Sequence, residues 1–354
     1  MKKLEVGILG ATGMVGQRFV SLLERHPWFE LAWLAASDRS AGKTYAEACS
    51  WRLRESMPAA AREMMVDECK PDEPHKGQIP LLLFSSLDSK VAGEVEQVFA
   101  RAGHVVVSNS SNHRMDPDVP LLIPEVNPDH LALIRRQRHE RGWKGMIVTN
   151  PNCTTVGLVI SLAPLEQAFG LDKVLVTSMQ AVSGAGYPGV PTLDILGNVI
   201  PYIDGEEEKV ERETHKLLGK LSDGDVHPGE FAISAHCNRV LVEDGHMESV
   251  SVALKSDARL EDLLQVWRAF RALPQERKLP SAPAHPIVVR DEKDRPQPKF
   301  DVNAGDGMST VIGRVRSCPV LQFKYTVLSH NTIRGAAGAA LLNAELMKSE
   351  GYLD

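Results

Sequence analysis

One cysteine, Cys153, carries the clearest chemical signal in this sequence. It lies in the stretch 150–154 (NPNCT), between an apolar segment at 145–149 that predicts a β-strand and a segment at 155–169 with helical character. A thiol at a helix N-terminus faces unpaired backbone N–H groups and the positive end of the helix dipole, and both favour the thiolate. Because the thiolate is the nucleophile, the position predicts a catalytic cysteine. The alternative is a small packed cysteine, the commonest fate of a free thiol.

The composition predicts an ordinary soluble protein of two domains. The chain has 354 residues, 43% of them hydrophobic and 24% charged, and a formal net charge of -6, which does not suggest a nucleic-acid partner. Its five cysteines are scattered, odd in number and without CxxC spacing, which argues against a disulfide framework and against a structural zinc or other metal site. We see no signal-peptide core and no apolar run of membrane-spanning length, so we expect a cytoplasmic protein with no membrane partner.

Strand and helix patterns alternate in the first part of the chain and predict a parallel sheet with right-handed crossovers. The predicted strands there are 4–9, 29–36, 79–84, 104–108 and 146–149, with helices such as 17–25 and 92–102. The later part predicts a second, α+β domain on a mixed, largely antiparallel sheet. Its predicted strands are 173–182, 230–235, 248–255, 286–290, 309–315 and 321–328, and its predicted helices include 260–273 and 331–348. We therefore expect an α/β protein with a Rossmann-type domain at 1–150 plus 331–354, to which the last helix returns, and a second domain at 151–330.

Three glycines, Gly10, Gly13 and Gly16, follow the first predicted strand and open the first predicted helix. Glycines at such a turn allow the backbone to approach a pyrophosphate, whose charge the helix N-terminus then stabilises. The second predicted strand ends in the segment 36–43 (ASDRSAGK). An acidic side chain there binds the ribose hydroxyls of NAD, whereas an arginine with hydroxyls binds the 2′-phosphate of NADP. Arg39 and the neighbouring serines favour NADP, whereas Asp38 on its own would favour NAD. The simpler alternative is a polar turn that binds no ligand.

Seven stretches, taken together, resemble the aspartate-β-semialdehyde dehydrogenase family, and more closely its archaeal and fungal branch. They are 10–16 (GATGMVG), 108–114 (SNSSNHR), 150–155 (NPNCTT), 180–186 (QAVSGAG), 205–209 (GEEEK), 238–246 (NRVLVEDGH) and 331–338 (NTIRGAAG). They span nearly the whole chain and keep the order seen in the family, which makes the set far more specific than any one of its members.

The resemblance implies a reaction, a cofactor and an assembly. L-4-aspartyl phosphate would be reduced by NADPH to L-aspartate 4-semialdehyde with release of inorganic phosphate, a step toward lysine, threonine, methionine and isoleucine. Cys153 would attack the acyl phosphate, and hydride would reduce the resulting thioester. Members of the family form homodimers, or homotetramers built from dimers, around the second domain.

The resemblance also assigns roles to individual residues. The catalytic residues would be Cys153, His246 as the base that takes the thiol proton, and Gln180. The substrate-binding residues would be Arg114 and Lys209 for the phosphate, Arg239 for the carboxylate, Glu206 for the ammonium group, and Asn152. The cofactor-binding residues would be Gly10, Ala11, Thr12, Gly13, Met14, Val15, Ser37, Arg39, Ser40, Ser85, Ser183, Gly184 and Asn331.

Several alternatives remain open at this point. Glu207 or Glu208 could take the role of Glu206, and the whole acidic cluster could simply be the exposed first turn of a helix. Asn331 could be a helix N-cap as well as a cofactor contact. Archaeal malonyl-CoA reductase and N-acetylglutamyl-phosphate reductase share the thioester chemistry but fit these motifs less well. A dinucleotide-binding regulator without catalysis is a more distant possibility.

Overall fold

A six-stranded parallel sheet forms the centre of the first domain. Its strands are β1 (Leu4–Leu9), β2 (Phe29–Ala36), β3 (Val66–Glu68), β4 (Leu82–Ser85), β5 (Val105–Ser108) and β6 (Met146–Thr149). Neighbouring strands are parallel in the order β3-β2-β1-β4-β5-β6, the doubly wound order of a Rossmann-type domain. The structure is a computed structural model and describes residues 2–72 and 77–353.

Both faces of this sheet are covered, which explains why its strands read as nearly continuous apolar runs. Strands β4, β5 and β6 are buried along their whole length. The helices of this part of the chain are α1 (Met14–Leu23), α2 (Tyr45–Ala48), α3 (Ala59–Arg62), α4 (Ser89–Ala102) and α5 (Leu133–Arg141), with a 3₁₀ turn at Pro128–Ala132. The predicted parallel sheet is therefore confirmed.

The second domain is built on a mixed six-stranded sheet. Its strands are β7 (Leu171–Gln180), β10 (Ala232–Arg239), β11 (His246–Leu254), β12 (Ile287–Val289), β13 (Thr310–Ser317) and β14 (Phe323–Ser329), and β8 (Lys220–Ser222) and β9 (Asp225–His227) form a separate hairpin. The order is β10-β7-β11-β14-β13-β12, with antiparallel pairs in the middle and a parallel pair at each edge. The expected mixed, largely antiparallel sheet is confirmed.

Helix α6 (Cys153–Phe169) covers one face of the second sheet and is buried along most of its length. Its Val159 and Leu162 share a core with Val174, Val250 and Val327 of the sheet. The remaining helices are α7 (Thr192–Ile195), α8 (Glu206–Leu217), α9 (Leu260–Ala269), α10 (Leu273–Glu276), α11 (Pro298–Asp301) and α12 (Gly338–Ser349), with a 3₁₀ turn at Val182–Ala185 and a π-helical turn at Ile333–Ala337. No helix within the described ranges is long and apolar enough to span a bilayer.

The opposite face of the second sheet is exposed along its central strands in the part of the chain that the structure describes. Alternate residues of its central strands, including Leu175, Thr177 and Ser249, are exposed there, and Leu175 keeps 47% of its accessible surface. This face of the sheet is therefore available to contact another protein.

The end of the chain returns to the first domain. Ala340, Leu342 and Leu346 of α12 share a core with Val6 and Val148 of the parallel sheet. This packing supports the proposed domain division, whose first and last residues lie outside the described part of the chain.

Three predicted elements are corrected in detail. The predicted helix 260–273 is two helices, α9 and α10, because Phe270 adopts a non-helical conformation after the last turn of α9. The predicted helix 331–348 begins only at Ile333, and it begins with the π-helical turn. The predicted strand 230–235 continues to Arg239, because its parallel pairing with β7 extends that far.

Candidate active site

Cys153 is the first residue of α6, as the strand-to-helix pattern predicts. The side chain of Asn152 caps this helix, because its Oδ1 accepts hydrogen bonds from the backbone N–H of Thr154 at 2.8 Å and of Thr155 at 3.2 Å. Two backbone donors that we expected near the thiolate are therefore already bonded to Asn152.

His246 is the partner of the thiol. Its Nε2 lies 3.2 Å from Sγ of Cys153, within hydrogen-bond reach. His246 is the first residue of β11 and is fully buried, so the sheet fixes the position of the ring. His236, ten residues before His246, lies exposed on β10. The Cys–His pair predicted from the sequence is thus in contact in the structure.

The hydrogen bonds of His246 assign its tautomer. Its Nδ1 accepts the backbone N–H of Ala181 at 3.1 Å, so in the neutral ring the proton sits on Nε2 and points at the sulfur of Cys153. Burial, followed by the charges of Arg239 and His330, lowers the pKa of His246 to about 3. In this conformation His246 donates a hydrogen bond to the sulfur, rather than accepting the thiol proton as the sequence-based role requires.

The pKa of Cys153 is not lowered, contrary to the expectation from its helix position. Burial and then the carboxylate of Glu206 raise it to about 12, against the opposing effect of Arg114 and Arg239. The physical reason is that desolvation penalises the thiolate more than the partly used helix N-terminus stabilises it. The resting state of the site is therefore a thiol beside a neutral imidazole.

Glu206 is a buried carboxylate beside the nucleophile. It is the first residue of α8, and its Oε1 accepts hydrogen bonds from Asn152 Nδ2 at 2.8 Å, Gln180 Nε2 at 3.0 Å and Thr154 Oγ1 at 3.3 Å. The other carboxylate oxygen lies 3.8 Å from Nζ of Lys209, at the more exposed side of the site. Three donors thus converge on one oxygen of Glu206, and the charge of this carboxylate acts on the thiol, whose pKa it raises.

The neighbouring acidic residues point elsewhere. Glu207 accepts the backbone N–H of Cys237 at 2.9 Å, and Glu208 is exposed. Of the three candidates for this carboxylate, only Glu206 faces Cys153. Cys237 itself is buried in the core of the second domain.

Arg239 brings a buried positive charge to the same place. Its Nη1 donates to the carbonyl oxygen of Ala181 at 2.7 Å, and the residue is almost fully buried. Gly184 is packed directly against it. A Cβ at Gly184 would lie 2.9 Å from Nη1 of Arg239 and 2.9 Å from Cε1 of His246. A side chain at this position would therefore displace both residues.

Arg114 reaches the site from the first domain. Its Nη1 donates to Oε1 of Glu213 at 2.9 Å, and its Nη2 donates to the carbonyl oxygen of Asn109 at 2.7 Å. The second oxygen of Glu213 accepts the backbone N–H of Asn152 at 2.6 Å. Glu213 thus ties Arg114 to the residue that precedes the nucleophile.

A further contact with Cys153 comes from the π-helical turn. A Cβ at Gly335 would lie 2.7 Å from Cβ of Cys153, so only glycine fits there. Arg334, the preceding residue, is buried and makes a bidentate ion pair with Glu125, with distances of 3.0 and 2.6 Å. This pair fixes the turn that supports the nucleophile.

The turn at 10–16 fits a dinucleotide. Gly10 has a φ of +80°, and a Cβ at Gly16 would lie 2.4 Å from the carbonyl oxygen of Gly10. Gly13 is the N-cap of α1 without a side-chain cap, and the first turn has no acidic residue. Backbone N–H groups at this helix end are thus open to a phosphate. Residues Ala11, Thr12, Met14 and Val15 complete the turn.

The end of β2 supplies the polar rim expected for a 2′-phosphate. Ser37 and Arg39 are exposed, whereas Ser40 is buried. The carboxylate of Asp38 accepts the backbone N–H of Arg39 at 2.8 Å. The guanidinium of Arg39 therefore lies at the surface, where it is accessible to a ligand.

One predicted cofactor contact and one predicted helix cap are placed differently by the structure. Ser85 is fully buried at the end of β4, whereas the hydroxyl of the next residue, Ser86, lies 3.1 Å from the carbonyl oxygen of Gly10. Successive strand residues point to opposite faces, so Ser86 and not Ser85 faces the glycine turn. Asn331 is not a helix N-cap, because the turn begins at Ile333.

Asn331 instead connects two segments of the site. Its Nδ2 donates to Oγ of Ser183 at 2.8 Å, and its Oδ1 accepts the backbone N–H of Gly245, next to His246. Met14 and Ser183 both line a cleft of about 960 Å³ that runs between the glycine turn and the second domain. The cleft thus connects the dinucleotide turn with the segment that precedes Gly184, which packs against His246.

Sequence reasoning missed Glu213, Gly335 and the Arg334–Glu125 pair. Glu213 lies seven residues after Glu206, which places both on one face of α8, so helical spacing could have indicated it. Gly335 lies inside the quoted motif 331–338, but the sequence gives no indication that it touches Cys153. Among residues 2–72 and 77–353, no group of three or more His, Cys, Asp or Glu side chains is arranged to hold a metal ion.

A Rossmann-type domain joined to a second domain that holds a Cys–His pair in contact is the architecture of a dinucleotide-dependent oxidoreductase. Two family models match the chain: the NAD binding domain of semialdehyde dehydrogenase at residues 5–134 and its dimerisation domain at residues 162–334.

Known proteins resemble the chain over its full length. The aspartate-semialdehyde dehydrogenase of Methanothermobacter thermautotrophicus is 51% identical over 97% of this chain and 99% of its own, and that of Cryptococcus neoformans is 47% identical over 99% and 98%. The crystal structure of the Candida albicans enzyme with NADP superimposes with a TM-score of 0.90, at 43% identity, over 99% of both chains. A malonyl CoA reductase (NADP) of Metallosphaera sedula is 41% identical over 100% of this chain and 99% of its own.

The chain therefore belongs to the aspartate-semialdehyde dehydrogenase family, with relatives in archaea and fungi.

Proposed function

We propose that this enzyme catalyses the NADPH-dependent conversion of L-4-aspartyl phosphate to L-aspartate 4-semialdehyde and phosphate through a thioester on Cys153. The observation that carries this proposal is the arrangement of charges around the thiol. One buried carboxylate, Glu206, and two buried guanidinium groups, Arg114 and Arg239, all act on Cys153 electrostatically.

These charges complement the three charged groups of the substrate. Glu206 would pair with the α-ammonium group, and Arg239 with the α-carboxylate, for which a guanidinium offers a bidentate fork. Arg114 and the more exposed Lys209 would bind the phosphate. Asn152 caps α6 and bonds Glu206 through its amide, so its contribution would be to orient Glu206 and the thiol.

In the first step, Sγ of Cys153 attacks the acyl carbon, a C–S bond forms, and the C–O bond to phosphate breaks. Arg114 and Lys209 stabilise the charge that develops on the leaving phosphate. The Nε2–H of His246 stabilises the thiolate as it forms. Because Nδ1 of His246 is already occupied by the N–H of Ala181, the dianionic phosphate is a better acceptor for the thiol proton than this imidazole.

In the second step, the thioester carbonyl is reduced and the product leaves. When bound, the nicotinamide cofactor supplies the hydride. The neutral ring of His246 would donate its Nε2–H as a hydrogen bond to the resulting oxyanion. The oxyanion collapses to the aldehyde as the C–S bond breaks, and Cys153 leaves as a thiolate stabilised by the same N–H. Gln180 bonds Glu206 and would orient the acyl group, whereas Gly184 leaves room beside His246.

The residues of the first domain fit an NADP cofactor. The open N-terminus of α1 would hold the pyrophosphate, and the exposed Arg39 with Ser37 and Ser40 would hold the 2′-phosphate. Asn331 and Ser183, which are bonded to each other, lie where the cleft approaches the thiol and would contact the nicotinamide amide.

We further propose a homodimer formed by the exposed face of the second sheet, because this face lies in the segment matched by the dimerisation model. A tetramer built from such dimers is a possible further assembly. The five free cysteines fit a reducing compartment such as the cytoplasm, where the step would serve lysine, threonine, methionine and isoleucine synthesis.

The proposal is tested by the reverse reaction with aspartate semialdehyde, phosphate and either NADP or NAD. We expect phosphate-dependent reduction of NADP, with NAD a poorer substrate. Malonyl-CoA with NADPH is the comparison, because malonate lacks the ammonium group that Glu206 would bind. Turnover of malonyl-CoA without turnover of aspartate semialdehyde would show that the proposed substrate is wrong and that malonyl-CoA is the substrate.

A further inference from the structure

Lys216 is a buried cation that the proposed reaction does not use directly. It lies near the end of α8, and its Nζ donates to three backbone carbonyl oxygens, those of Arg114 at 2.7 Å, Asp116 at 2.8 Å and Val119 at 2.9 Å. An ammonium group has three N–H donors, so all of them are used on one short segment of the first domain. The segment 114–119 is thereby clamped to the second domain.

The same helix holds the site from three positions. Glu206, Glu213 and Lys216 face the first domain and the nucleophile loop, at spacings of seven and three residues that keep them on one side of α8. Glu213 bonds the guanidinium of Arg114, and Lys216 bonds the backbone carbonyl of the same residue. Helix α8 therefore holds both the guanidinium group and the backbone of Arg114.

The surroundings of Lys216 are charged on several sides. Asp116, Asp118 and Glu213 attract it, but burial is the stronger effect and lowers its pKa to about 8. Arg141 bonds the carboxylates of Asp116 and Asp118, which leaves the carbonyl oxygens as the partners of Lys216.

We infer that Lys216 is a positioning residue for phosphate, because it holds the segment that presents Arg114 to the leaving group. This inference rests on the proposed role of Arg114. Without the ammonium group, the carbonyl oxygens of Arg114, Asp116 and Val119 lose this donor, although that of Asp116 still accepts the backbone N–H of Val119 at 3.3 Å. The segment 114–119 therefore shifts until water can bond these oxygens. Arg114 then moves away from the phosphate, while the glycine turn that binds the cofactor stays in place.

The test is the Lys216→Met variant of the full-length enzyme, assayed in the phosphate-dependent oxidation of aspartate semialdehyde. We expect the KM for phosphate to rise about tenfold or more, which corresponds to the loss of one charged hydrogen bond. The Kd for NADP should change by less than about twofold, because the glycine turn at 10–16 is not connected to Lys216. The Arg212→Met variant, which removes an exposed cation from the same helix, should match the wild type.

A double-mutant cycle with Arg114→Gln separates positioning from general stability. If Lys216 acts through Arg114, adding Lys216→Met to Arg114→Gln should raise the KM for phosphate by less than about twofold. Full additivity of the two effects would overturn the inference, as would a Lys216→Met variant with an unchanged KM. If Arg114→Gln alone leaves that KM unchanged, the proposed role of Arg114 fails first. Lys216→Gln keeps two of the donors and serves if the methionine variant does not fold, with an intermediate KM expected.

Discussion

The cofactor turn and the thiol pocket are built in opposite ways. The turn at 10–16 is one short piece of chain whose function rests on backbone N–H groups and on the small size of Gly10 and Gly16. The thiol pocket is assembled from β7, α8, β11 and the π-helical turn, and its function rests on side-chain charges. The glycine turn should therefore tolerate changes elsewhere in the molecule, whereas the thiol pocket depends on several distant elements at once.

The largest expected effect lies in the pocket, at the nucleophile. Cys153→Ser should lower kcat by about 10³-fold or more, because a hydroxyl is a much weaker nucleophile and forms no thioester. The Kd for NADP, measured by fluorescence titration, should stay within about twofold of wild type. Cys318→Ser is the matched control, since that thiol follows β13 and accepts the backbone N–H of Leu321, outside the thiol pocket. Wild-type turnover in Cys153→Ser would show that the thiol pocket does not depend on this side chain.

The next effect tests whether the pocket depends on remote packing. Gly335→Ala should lower kcat by about 10²-fold, because the new Cβ would lie 2.7 Å from Cβ of Cys153 and must displace the thiol. Gly338→Ala is the control, because its Cβ would meet the side chain of Met308 at 2.5 Å instead of the nucleophile. Equal losses of kcat in the two variants would show that the effect is general destabilisation.

A smaller effect is expected in the cofactor region. Arg39→Ala should lower the preference for NADP over NAD, as the ratio of kcat/KM values, by about tenfold or more, the worth of a charge-assisted hydrogen bond. The kcat with saturating NADP should be little changed, because the 2′-phosphate lies far from the thiol. Arg62→Ala, which removes an exposed arginine of α3, is the control. An unchanged preference in Arg39→Ala would show that other residues read the 2′-phosphate.

The smallest effect concerns the charge balance at the thiol. Burial and Glu206 raise the pKa of Cys153 to about 12, so the thiolate fraction of the free enzyme should grow about tenfold per pH unit up to the alkaline limit of stability. Alkylation of Cys153 by iodoacetamide should therefore accelerate from pH 7 to about 9.5 without a plateau. Glu206→Gln removes a charge that raises this pKa, so it should speed alkylation by a few fold.

Glu206→Gln should at the same time weaken turnover, since the proposed partner of the substrate ammonium group is lost. Glu208→Gln, an exposed change on the same helix, should alter neither rate. A plateau of alkylation near neutral pH in the wild type would mean that the thiolate is already stabilised in the free enzyme.

Most of the fold was predictable because its signals are local. The strand at Leu4–Leu9, the strand at Phe29–Ala36 and the glycine turn between them follow from apolar runs and from glycine spacing. The order of the second sheet was not predictable, because strand pairing depends on contacts between residues far apart in the sequence. The extension of β10 to Arg239 is one example, since it depends on pairing with β7.

The pocket was predictable in its residue types but not in its electrostatics. The pairing of Cys153 with His246 agrees with the sequence-based prediction, whereas the raised pKa of the thiol does not. The reason is that Asn152 occupies two donors of the helix N-terminus and that burial cannot be read from the motif. The proton position on His246 depends on the backbone N–H of Ala181, which no pattern of side chains indicates.

The most direct test is to trap the acyl-enzyme. The enzyme is mixed with aspartate semialdehyde and NADP in the absence of phosphate, quenched in acid, and digested for mass spectrometry. Oxidation should leave an aspartyl thioester on the peptide that contains Cys153, in an amount equal to the NADPH formed in the first turnover, and phosphate should release it. Formation of NADPH without an adduct on Cys153, or with an adduct on another residue, would contradict the account.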